Sequence, residues 1–283
     1  MKKGNCFKTF HVIGCLRYIP LIVWVAFFAV AFGWMFFASF STTKEIFSNE
    51  ILGSGIHFEN YVNVWKRNNV GRYFINSILC TGIPCVLIIL ISAPAAYVLA
   101  KHTFLGKKLT FNAFIVGMSV PQVMVIIPIY CFFVRAGLVG HLLTLIILYT
   151  VLNVPYTVYF LTAFFSTVPS ALAEAAMIDG CTEQKALWKV MIPMASPGII
   201  TVTIFNFMNI WNEYFIALIF ANGNDKIRTL SMGLQNIITS MTYTGNWAGL
   251  FAAVIMVLLP TFILYLFLSE KIVSGITGGG VKG

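Results

Sequence analysis

Long stretches without Asp, Glu, Lys or Arg recur along the chain, and their lengths predict its secondary structure. A charge at the centre of a bilayer is costly, and a membrane-spanning helix needs about 20 predominantly apolar residues. Six uncharged stretches reach that length. With their polar ends trimmed, they predict helices at 19–40, 74–99, 110–134, 141–164, 197–220 and 247–269. The pattern therefore predicts an all-α fold, a six-span transmembrane helical bundle.

Composition excludes soluble, disordered and fibrous proteins. The chain is 59% hydrophobic and 10% charged, whereas an ordinary soluble domain is about 45–50% apolar and about 25% charged. Its 26 Phe, 11 Tyr and 6 Trp suit lipid-facing and interfacial positions. We therefore interpret the chain as a membrane protein.

Charge and cysteine usage predict neither a nucleic-acid partner nor a metal or other cofactor. The net charge is +9, but the basic residues are scattered between apolar runs instead of clustering on one soluble face. The six cysteines form no CxxC pair, and the four histidines show no i, i+4 spacing.

Basic residues also predict the orientation in the membrane. Lys2, Lys3, Lys8 and Arg17 precede the first apolar run as they would in a signal peptide, but the run is too long and lacks a clear cleavage site. We expect an uncleaved first helix. With six spans, the side holding both termini carries 11 basic residues against 7 on the other side. The positive-inside rule then places both termini in the cytoplasm.

Residues 168–193, between the fourth and fifth predicted spans, have the pattern of a helix, a glycine bend and a second helix. Gly180 suits a left-handed C-terminal cap, and Thr182 suits the N-cap of a helix that ends before Pro193. A helix-turn-helix that binds DNA is the weaker interpretation, because membrane spans flank the bend directly.

This loop has the features of a docking surface for another protein. Ala175 and Ala176 leave a thin helix surface that a partner can approach closely, and Glu174 and Asp179 place carboxylates at its border. A well-capped interfacial loop without a partner is an equally good interpretation of these residues on physical grounds alone.

The loop resembles a known motif. Glu174-Ala-Ala-x-x-Asp179-Gly180, followed by Ile192-Pro193, closely resembles the EAA loop of importers of the ATP-binding cassette (ABC) type. Further stretches resemble the carbohydrate branch of that family, in particular the smaller permeases of maltose-type transporters. They are Asn76-Ser77, Ala96-Tyr97-x-Leu99-Ala100, Phe104-x-Gly106 and the glycine-rich C-terminal residues 275–283.

The resemblance implies a division of labour between subunits. Glu174, Ala175, Ala176, Asp179 and Gly180 would form a cytoplasmic coupling helix seated on a separate nucleotide-binding subunit. The tail, with Gly278, Gly279, Gly280 and Lys282, would reach toward the ATPase pair, although composition alone favours a frayed terminus. No GxxxxGK[ST] phosphate-binding loop is present in the sequence. We therefore expect ATP hydrolysis in partner subunits and no enzymatic activity in this chain.

Polar side chains inside the predicted spans mark a possible substrate path. Asn206, Asn209 and Glu213 recur on one helical face of the fifth span, and Asn153 and Tyr156 form a similar stripe on the fourth. Amides and aromatic rings suit a neutral, hydroxyl-rich sugar. Interhelical hydrogen bonds that hold the bundle together are an equally good interpretation.

The resemblance implies a permease subunit of a sugar or oligosaccharide importer in a bacterial or archaeal cytoplasmic membrane. We divide the chain into the N-terminal tail, first helix and outer loop at 1–70, a type-1 transmembrane domain at 71–270, and the tail at 271–283. The expected partners are two ABC ATPase subunits, a second homologous permease, an extracytoplasmic solute-binding protein and membrane lipid. Import of another solute, such as a polyol or a glycerophosphate, is the alternative, and a secondary transporter is a weaker one.

Overall fold

The computed structural model describes residues 18–67, 69–221 and 223–280, and every regular element assigned within these ranges is helical. The α-helices are α1 Ile19–Ala38, α2 Thr43–Ser48, α3 Glu59–Arg67, α4 Val70–Lys101, α5 Lys107–Ser119, α6 Gln122–Arg135, α7 Leu142–Thr167, α8 Ala171–Ile178, α9 Glu183–Ala186, α10 Ile192–Met194, α11 Ser196–Trp211, α12 Phe215–Ala221, α13 Leu230–Thr244 and α14 Trp247–Gly280. A π-helical turn, Leu187–Met191, and a 3₁₀ turn, Asp225–Ile227, complete the set. The all-α prediction is confirmed for the described residues.

Four helices in the described part of the chain are long and apolar enough to cross a membrane. They are α1, α4, α7 and residues Trp247–Phe267 of α14. The number rises to six when each of two sharply bent helix pairs is taken as one span. The predicted spans 19–40, 74–99 and 141–164 each correspond to one helix, whereas the total of six remains a prediction.

The prediction of a continuous helix over 110–134 is wrong. Helices α5 and α6 occupy this segment and are bent by 95° where they meet. Val120 has extended backbone angles (φ −74°, ψ 122°) directly before Pro121, because the proline ring disfavours helical geometry in the preceding residue. The predicted helix 197–220 is also interrupted, since α11 ends at Trp211 and α12 begins at Phe215.

The described residues fall into two compact units, of which the first contains the chain up to Asn68 together with Ile237–Met256. Ala38, Ile46 and Ala248 form its small buried core. The hydroxyl of Thr43 accepts a hydrogen bond from the backbone N–H of Ala248 at 3.3 Å. These contacts join the end of α1 and helix α2 to the start of α14.

A capping box fixes the short helix α2. The Thr42 hydroxyl accepts a hydrogen bond from the Glu45 N–H, and the Glu45 carboxylate accepts one from the Thr42 N–H. The same carboxylate also accepts hydrogen bonds from the hydroxyl and the N–H of Ser54. These hydrogen bonds lower the pKa of Glu45 to about 2, and the bond from the Ser54 hydroxyl has the largest effect. The carboxylate therefore remains ionised and bonded well below neutral pH.

The second unit contains Asn69–Asn236 and the chain from Val257 onward. Its longest helices, α4 and α7, pack against each other and carry two buried clusters. One cluster includes Cys80, Ile88, Leu145, Ile210 and Phe220, which belong to α4, α7, α11 and α12. The other includes Ala96, Leu161, Phe165, Met191 and Val202, which join α4 and α7 to the π turn and α11.

Close packing at Gly198 positions α11 against α7. A Cβ atom built on Gly198 would lie 2.4 Å from Cγ of Phe164, whereas carbon atoms in contact lie about 3.5–4.0 Å apart. Only glycine fits this distance without a shift of the ring. The contact brings the polar side chains of α11 next to those of α7.

Asn76 and Ser77, near the start of α4, form hydrogen bonds with the loop that precedes α13. The Asn76 side chain donates hydrogen bonds of 2.9 Å to the backbone oxygens of Lys226 and Arg228. The Ser77 hydroxyl accepts a 2.7 Å hydrogen bond from the N–H of Leu230. These two residues therefore hold the segment that leads into α13.

Candidate functional site: a polar cleft and a helical loop

A cleft of about 750 Å³ lies in the second unit, at the bend between α5 and α6 and beside α7 and α11. Because the backbone breaks at Pro121, the two half-helices separate and leave space that a straight span would fill. The residues that line the cleft are Gly117, Met118, Val120, Gln122, Val125, Pro128, Ile129, Val151, Leu152, Asn153, Pro155, Tyr156, Phe205, Asn206 and Asn209.

Three asparagines in the cleft form hydrogen bonds between α7 and α11. The Asn206 side chain donates to the Thr157 hydroxyl at 2.9 Å, and the Asn209 side chain donates to Oδ1 of Asn153 at 2.9 Å. Asn153 in turn donates to the backbone oxygen of Tyr149 at 2.7 Å. These side chains therefore bridge the two helices, as one hypothesis for the polar stripe expects, and they also line the cleft. A substrate path remains a prediction.

The lining of the cleft is uncharged and mostly apolar, with a few polar side chains. It contains no Asp, Glu, Lys, Arg or His side chain. Asn209 is exposed and its Oδ1 atom accepts no hydrogen bond from the described residues, so it can accept one from a hydroxyl group, whereas Asn206 is only 1% exposed. Tyr156 and Phe205 add aromatic surface.

Gln122, which forms a short polar stripe with Ser119 in the third predicted span, also lines the cleft. It is the first residue of α6, and the bend at Pro121 determines where it points.

Glu213 does not line the cleft. Its carboxylate accepts hydrogen bonds from the Tyr149 hydroxyl at 2.6 Å and from the backbone N–H groups of Ile216 and Ala217 at 2.6 and 3.1 Å. These bonds satisfy the first turn of α12. The side chain therefore joins α12 to α7, and it lies outside the group formed by Asn153, Tyr156, Asn206 and Asn209.

The loop between α7 and α11 contains the predicted helix and glycine bend. Helix α8 ends in a Schellman motif, in which the N–H of Cys181 bonds to the oxygen of Ala176 at 2.9 Å and the N–H of Gly180 bonds to that of Met177 at 3.1 Å. Gly180 has φ +87°, a conformation that is costly for residues with a Cβ atom. The predicted left-handed cap at Gly180 is confirmed.

Two alanines of this loop differ in exposure. Glu174, Ala175 and Asp179 are exposed, but Ala176 is only 9% exposed and faces the interior of the fold. The expectation that both alanines form a thin outer surface is therefore wrong for Ala176. Its small side chain instead allows α8 to lie close to the rest of the unit.

Sequence analysis missed the apolar part of the loop surface. Ile178 is 86% exposed and Met177 is 44% exposed, at the C-terminal end of α8. Two large apolar side chains beside Asp179 give this helix end a mixed apolar and acidic surface. Such a surface is suited to a protein partner.

The second half of the loop stays helical through Pro193 and is separated from α11 at Ala195 by a bend of 75°. The Thr182 hydroxyl accepts the N–H of Lys185 at 3.3 Å and caps α9, as expected. The helical backbone then passes through the π turn, where the N–H of Ile192 bonds to the oxygen of Leu187, and includes Pro193 in α10. The prediction that this helix ends before Pro193 is wrong, because the wider turn lets the proline continue the helical path.

The loop is attached to the end of α4. The ammonium group of Lys101 donates to the backbone oxygen of Val168. Nε2 of His102 lies 2.9 Å from Oε1 of Glu183, an ion pair when the ring is protonated, although the two groups are not aligned for a hydrogen bond. A displacement of α8 or α9 would therefore be transmitted to α4 as well as to α11.

The residues of the predicted glycine-rich tail are only partly described. Gly278, Gly279 and Gly280 form the last residues of α14. Lys282 lies outside the described residues. Contact of this tail with another subunit remains a prediction.

Comparison with known proteins identifies related chains. Residues 88–269 match the family model described as binding-protein-dependent transport system inner membrane component. The diacetylchitobiose uptake system permease protein NgcG of Streptomyces coelicolor is 33% identical over 260 residues, which cover 92% of this chain and 86% of that protein. The sulfoquinovosyl glycerol transport system permease protein SmoH of Agrobacterium fabrum is 33% identical and the alignment covers 88% and 87% of the two chains.

A further relative and a solved structure extend this comparison. The melibiose/raffinose/stachyose import permease protein MelC of Bacillus subtilis is 29% identical, with 96% of this chain and 94% of that protein covered. A chain in the crystal structure of a bacterial ABC transporter that imports the acidic polysaccharide alginate superimposes with a TM-score of 0.80. That chain is 21% identical, and 92% of this chain and 96% of the other are covered. The similarity to it concerns the fold.

Proposed function

The chain belongs to the family of binding-protein-dependent transport system inner membrane components, and we propose that it is the permease of an ATP-driven importer that carries a neutral sugar or oligosaccharide. The cleft with its three asparagines is the observation that carries this proposal. Relatives named for diacetylchitobiose and for melibiose, raffinose and stachyose support the substrate class. All the relatives compared above are named as permeases rather than as enzymes.

The lining of the cleft favours a neutral substrate over an anionic one. Relatives of this chain include proteins named for an anionic sugar, sulfoquinovosyl glycerol, as well as for neutral ones. An anion buried away from water needs a cation or several hydrogen-bond donors. The lining of this cleft offers amides, a phenol and apolar groups but no Lys, Arg or His.

Alternating access is the transport mechanism that we propose. Tyr156 and the amides of the cleft would form one half of a path, and a second, homologous permease would supply the other half. The bent pair α5–α6 and the break between α11 and α12 are positions at which segments can move relative to each other without loss of packing inside each segment.

Helix α8 is the proposed contact with the ATPase subunits. Its exposed end presents Glu174, Ala175, Asp179 and the apolar residues Met177 and Ile178. Through the π turn, α8 and α9 are connected to α11, which carries Asn206 and Asn209. Movement of the ATPase pair would therefore act on the helix that lines the cleft.

We also propose the orientation in the membrane and the remaining partners that the sequence analysis predicts. The end of the second unit that contains α8 faces the cytoplasm, as do both termini and the tail with Gly278, Gly279, Gly280 and Lys282. An extracytoplasmic binding protein delivers substrate to the opposite end. The complex resides in the cytoplasmic membrane of a bacterium or an archaeon.

Purification of the tagged chain from its native membrane in mild detergent tests the proposal. We expect an ABC ATPase and a second permease to co-purify, and we expect the reconstituted complex to import a neutral oligosaccharide only with ATP. Mass spectrometry and a vesicle uptake assay provide the two readouts. A chain that repeatedly purifies alone, with transport insensitive to ATP depletion, would favour a secondary transporter instead.

Asn209→Ala tests the role of the cleft. Asn209 is exposed in the cleft and its Oδ1 atom is free to accept a substrate hydroxyl. Loss of a hydrogen bond of this kind costs about 1 kcal/mol, so we expect the substrate concentration at half-maximal uptake to rise about fivefold. Complex assembly and maximal ATPase activity should change little.

Asn212→Ala is the matched control for this measurement. Asn212 follows α11 and donates to the backbone oxygen of Met208, but it does not line the cleft. Its replacement should leave half-maximal uptake unchanged. If the two substitutions changed half-maximal uptake equally, or if Asn209→Ala did not change it at all, the asparagines would be assigned to helix packing. Uptake of a polyol or a glycerophosphate by the wild-type complex would identify the alternative substrate class.

A further inference from the structure

A second cavity in the same unit has a different chemistry from the cleft. It measures about 650 Å³ and surrounds the connection between α4 and α5. Its lining consists of Leu99, Thr103, Phe104, Leu105, Gly106, Lys107, Lys108, Phe111 and Thr162. None of these residues lines the cleft, and the proposed transport mechanism uses none of them.

The cavity lies at the end of the membrane-spanning helices. Leu99 belongs to the last turn of α4, and Thr162 lies five residues before the end of α7. The bond from Lys101 to Val168 places this end of α4 beside the helical loop. The cavity is therefore at the depth where lipid headgroups meet hydrocarbon, and its assignment to the cytoplasmic leaflet rests on the proposed function.

The polar side of the cavity is cationic. Lys107 and Lys108 are neighbours in its lining, and no Asp or Glu is part of that lining. The Lys107 ammonium donates to the backbone oxygen of His102 at 2.9 Å, which restrains its position and leaves further N–H donors available. The cavity therefore offers a fixed positive charge to an anion.

The other side of the cavity is apolar and open to the surroundings. The side chain of Leu105 is fully exposed, and that of Phe104 is 42% exposed. Leu99 and Phe111 form an apolar wall beside the two lysines. A free phosphate would make no use of this wall, whereas a glycerophospholipid places an acyl chain directly beside its phosphate.

We propose that this cavity binds an anionic glycerophospholipid, with the phosphate between Lys107 and Lys108 and the start of an acyl chain along Leu99 and Phe111. The bound lipid would hold the connection between α4 and α5 at a fixed depth in the membrane. This connection lies between the end of α4, which contacts the helical loop, and the bent pair α5–α6 that borders the cleft.

Photolabelling of the complex in lipid nanodiscs tests the proposal. The nanodiscs consist of phosphatidylcholine with a trace of phosphatidylglycerol that carries a diazirine near the start of one acyl chain. We expect peptide mass spectrometry to find the label in residues 99–111. Lys107→Gln combined with Lys108→Gln should reduce labelling about tenfold or more, because each lysine near an anionic surface contributes substantially to attraction.

The matched control removes two exposed lysines elsewhere, by Lys66→Gln combined with Lys226→Gln. These substitutions should not change labelling. Equal labelling by the corresponding phosphatidylcholine probe, or unchanged labelling after loss of Lys107 and Lys108, would overturn the proposal. Labelling that occurs in the isolated chain and disappears in the complex would also overturn it, because a partner protein then covers the cavity.

The test remains decisive if the double lysine variant does not assemble or if the transport proposal fails. If the double lysine variant does not assemble, competition in the wild-type complex replaces it: excess unlabelled phosphatidylglycerol must reduce labelling, and excess phosphatidylcholine must not. The labelled peptide is identified whether or not an ATPase co-purifies. Failure of the transport proposal is therefore distinguishable from failure of the lipid site.

Discussion

Replacement of Gly180 with valine is expected to reduce ATP-driven uptake at least about tenfold while the protein still inserts and assembles. A β-branched residue at φ +87° is strained by about 2 kcal/mol or more. Such a strain lowers the population of the native bend about thirtyfold, and the apparent affinity of a partner for that bend falls with its population. Uptake and ATP hydrolysis by the reconstituted complex measure this effect, and we expect hydrolysis to continue without transport.

Two further variants isolate the cause. Gly180→Asn should retain most of the uptake, because asparagine tolerates the left-handed conformation. Gly137→Val introduces a similar strain at φ +67°, also with no atom within 4 Å of the new Cβ, near the opposite end of α7. Full uptake in Gly180→Val would remove α8 from the coupling mechanism. An equal loss in Gly137→Val would assign the effect to general destabilisation.

Gly198→Ala is expected to destabilise the packing of α11 against α7 by about 1–3 kcal/mol. The new methyl group would lie 2.4 Å from Cγ of Phe164, which is the ring atom nearest the backbone and the least free to move. Either the Phe164 ring or α11 must shift. Thermal unfolding of the detergent-solubilised protein should show a lower midpoint than that of the wild type.

A double-mutant cycle with Phe164→Leu measures the contact itself. The smaller leucine makes room for the methyl group, so the double variant should be more stable than the sum of the single effects predicts. Gly82→Ala serves as the control, because it replaces a glycine inside α4 that has no atom within 4 Å of the new Cβ. Additive effects at Gly198 and Phe164 would show that the helices relax around the added group.

The membrane helices could be predicted from the sequence where the cost of buried charge decides the structure. Uncharged stretches gave α1, α4 and α7 to within a few residues at most ends. The count of charges contains no information about direction, so it could not distinguish a straight span from two half-helices at 95°. Pro84 and Pro94 stay inside α4, whereas Pro121 ends a helix. A proline alone therefore does not reveal how sharp a bend will be.

The direction of the polar side chains on the fifth predicted span could be predicted only for the part of the span that forms the regular helix α11. Asn206 and Asn209 are three residues apart on α11, and both line the cleft with Asn153 and Tyr156. The next step of four residues leads to Glu213, but α11 ends at Trp211. Beyond that point the helical period no longer determines the direction of a side chain, and Glu213 caps α12 instead.

The helical loop between α7 and α11 could also be predicted only in part from the sequence. Gly180 was predictable because a left-handed cap has a strong residue preference. The burial of Ala176 and the exposure of Ile178 were not, since they depend on how α8 is rotated against the rest of the unit. The π turn that carries the chain past Pro193 has no comparably strong residue signature in Leu187–Met191.

The hydrogen bonds inside α7 have a consequence for the insertion of this helix into the membrane during synthesis. Thr150, Asn153, Thr157, Thr162 and Ser166 each donate to a backbone oxygen four residues earlier in the same helix. These polar groups need no neighbour, so α7 can leave the translocation machinery for lipid while the ribosome has yet to add α11. The later helix then brings the amides of Asn206 and Asn209 to acceptors that Thr157 and Asn153 already present. Synthesis from the N-terminus thus delivers each bridging amide after its partner is in place.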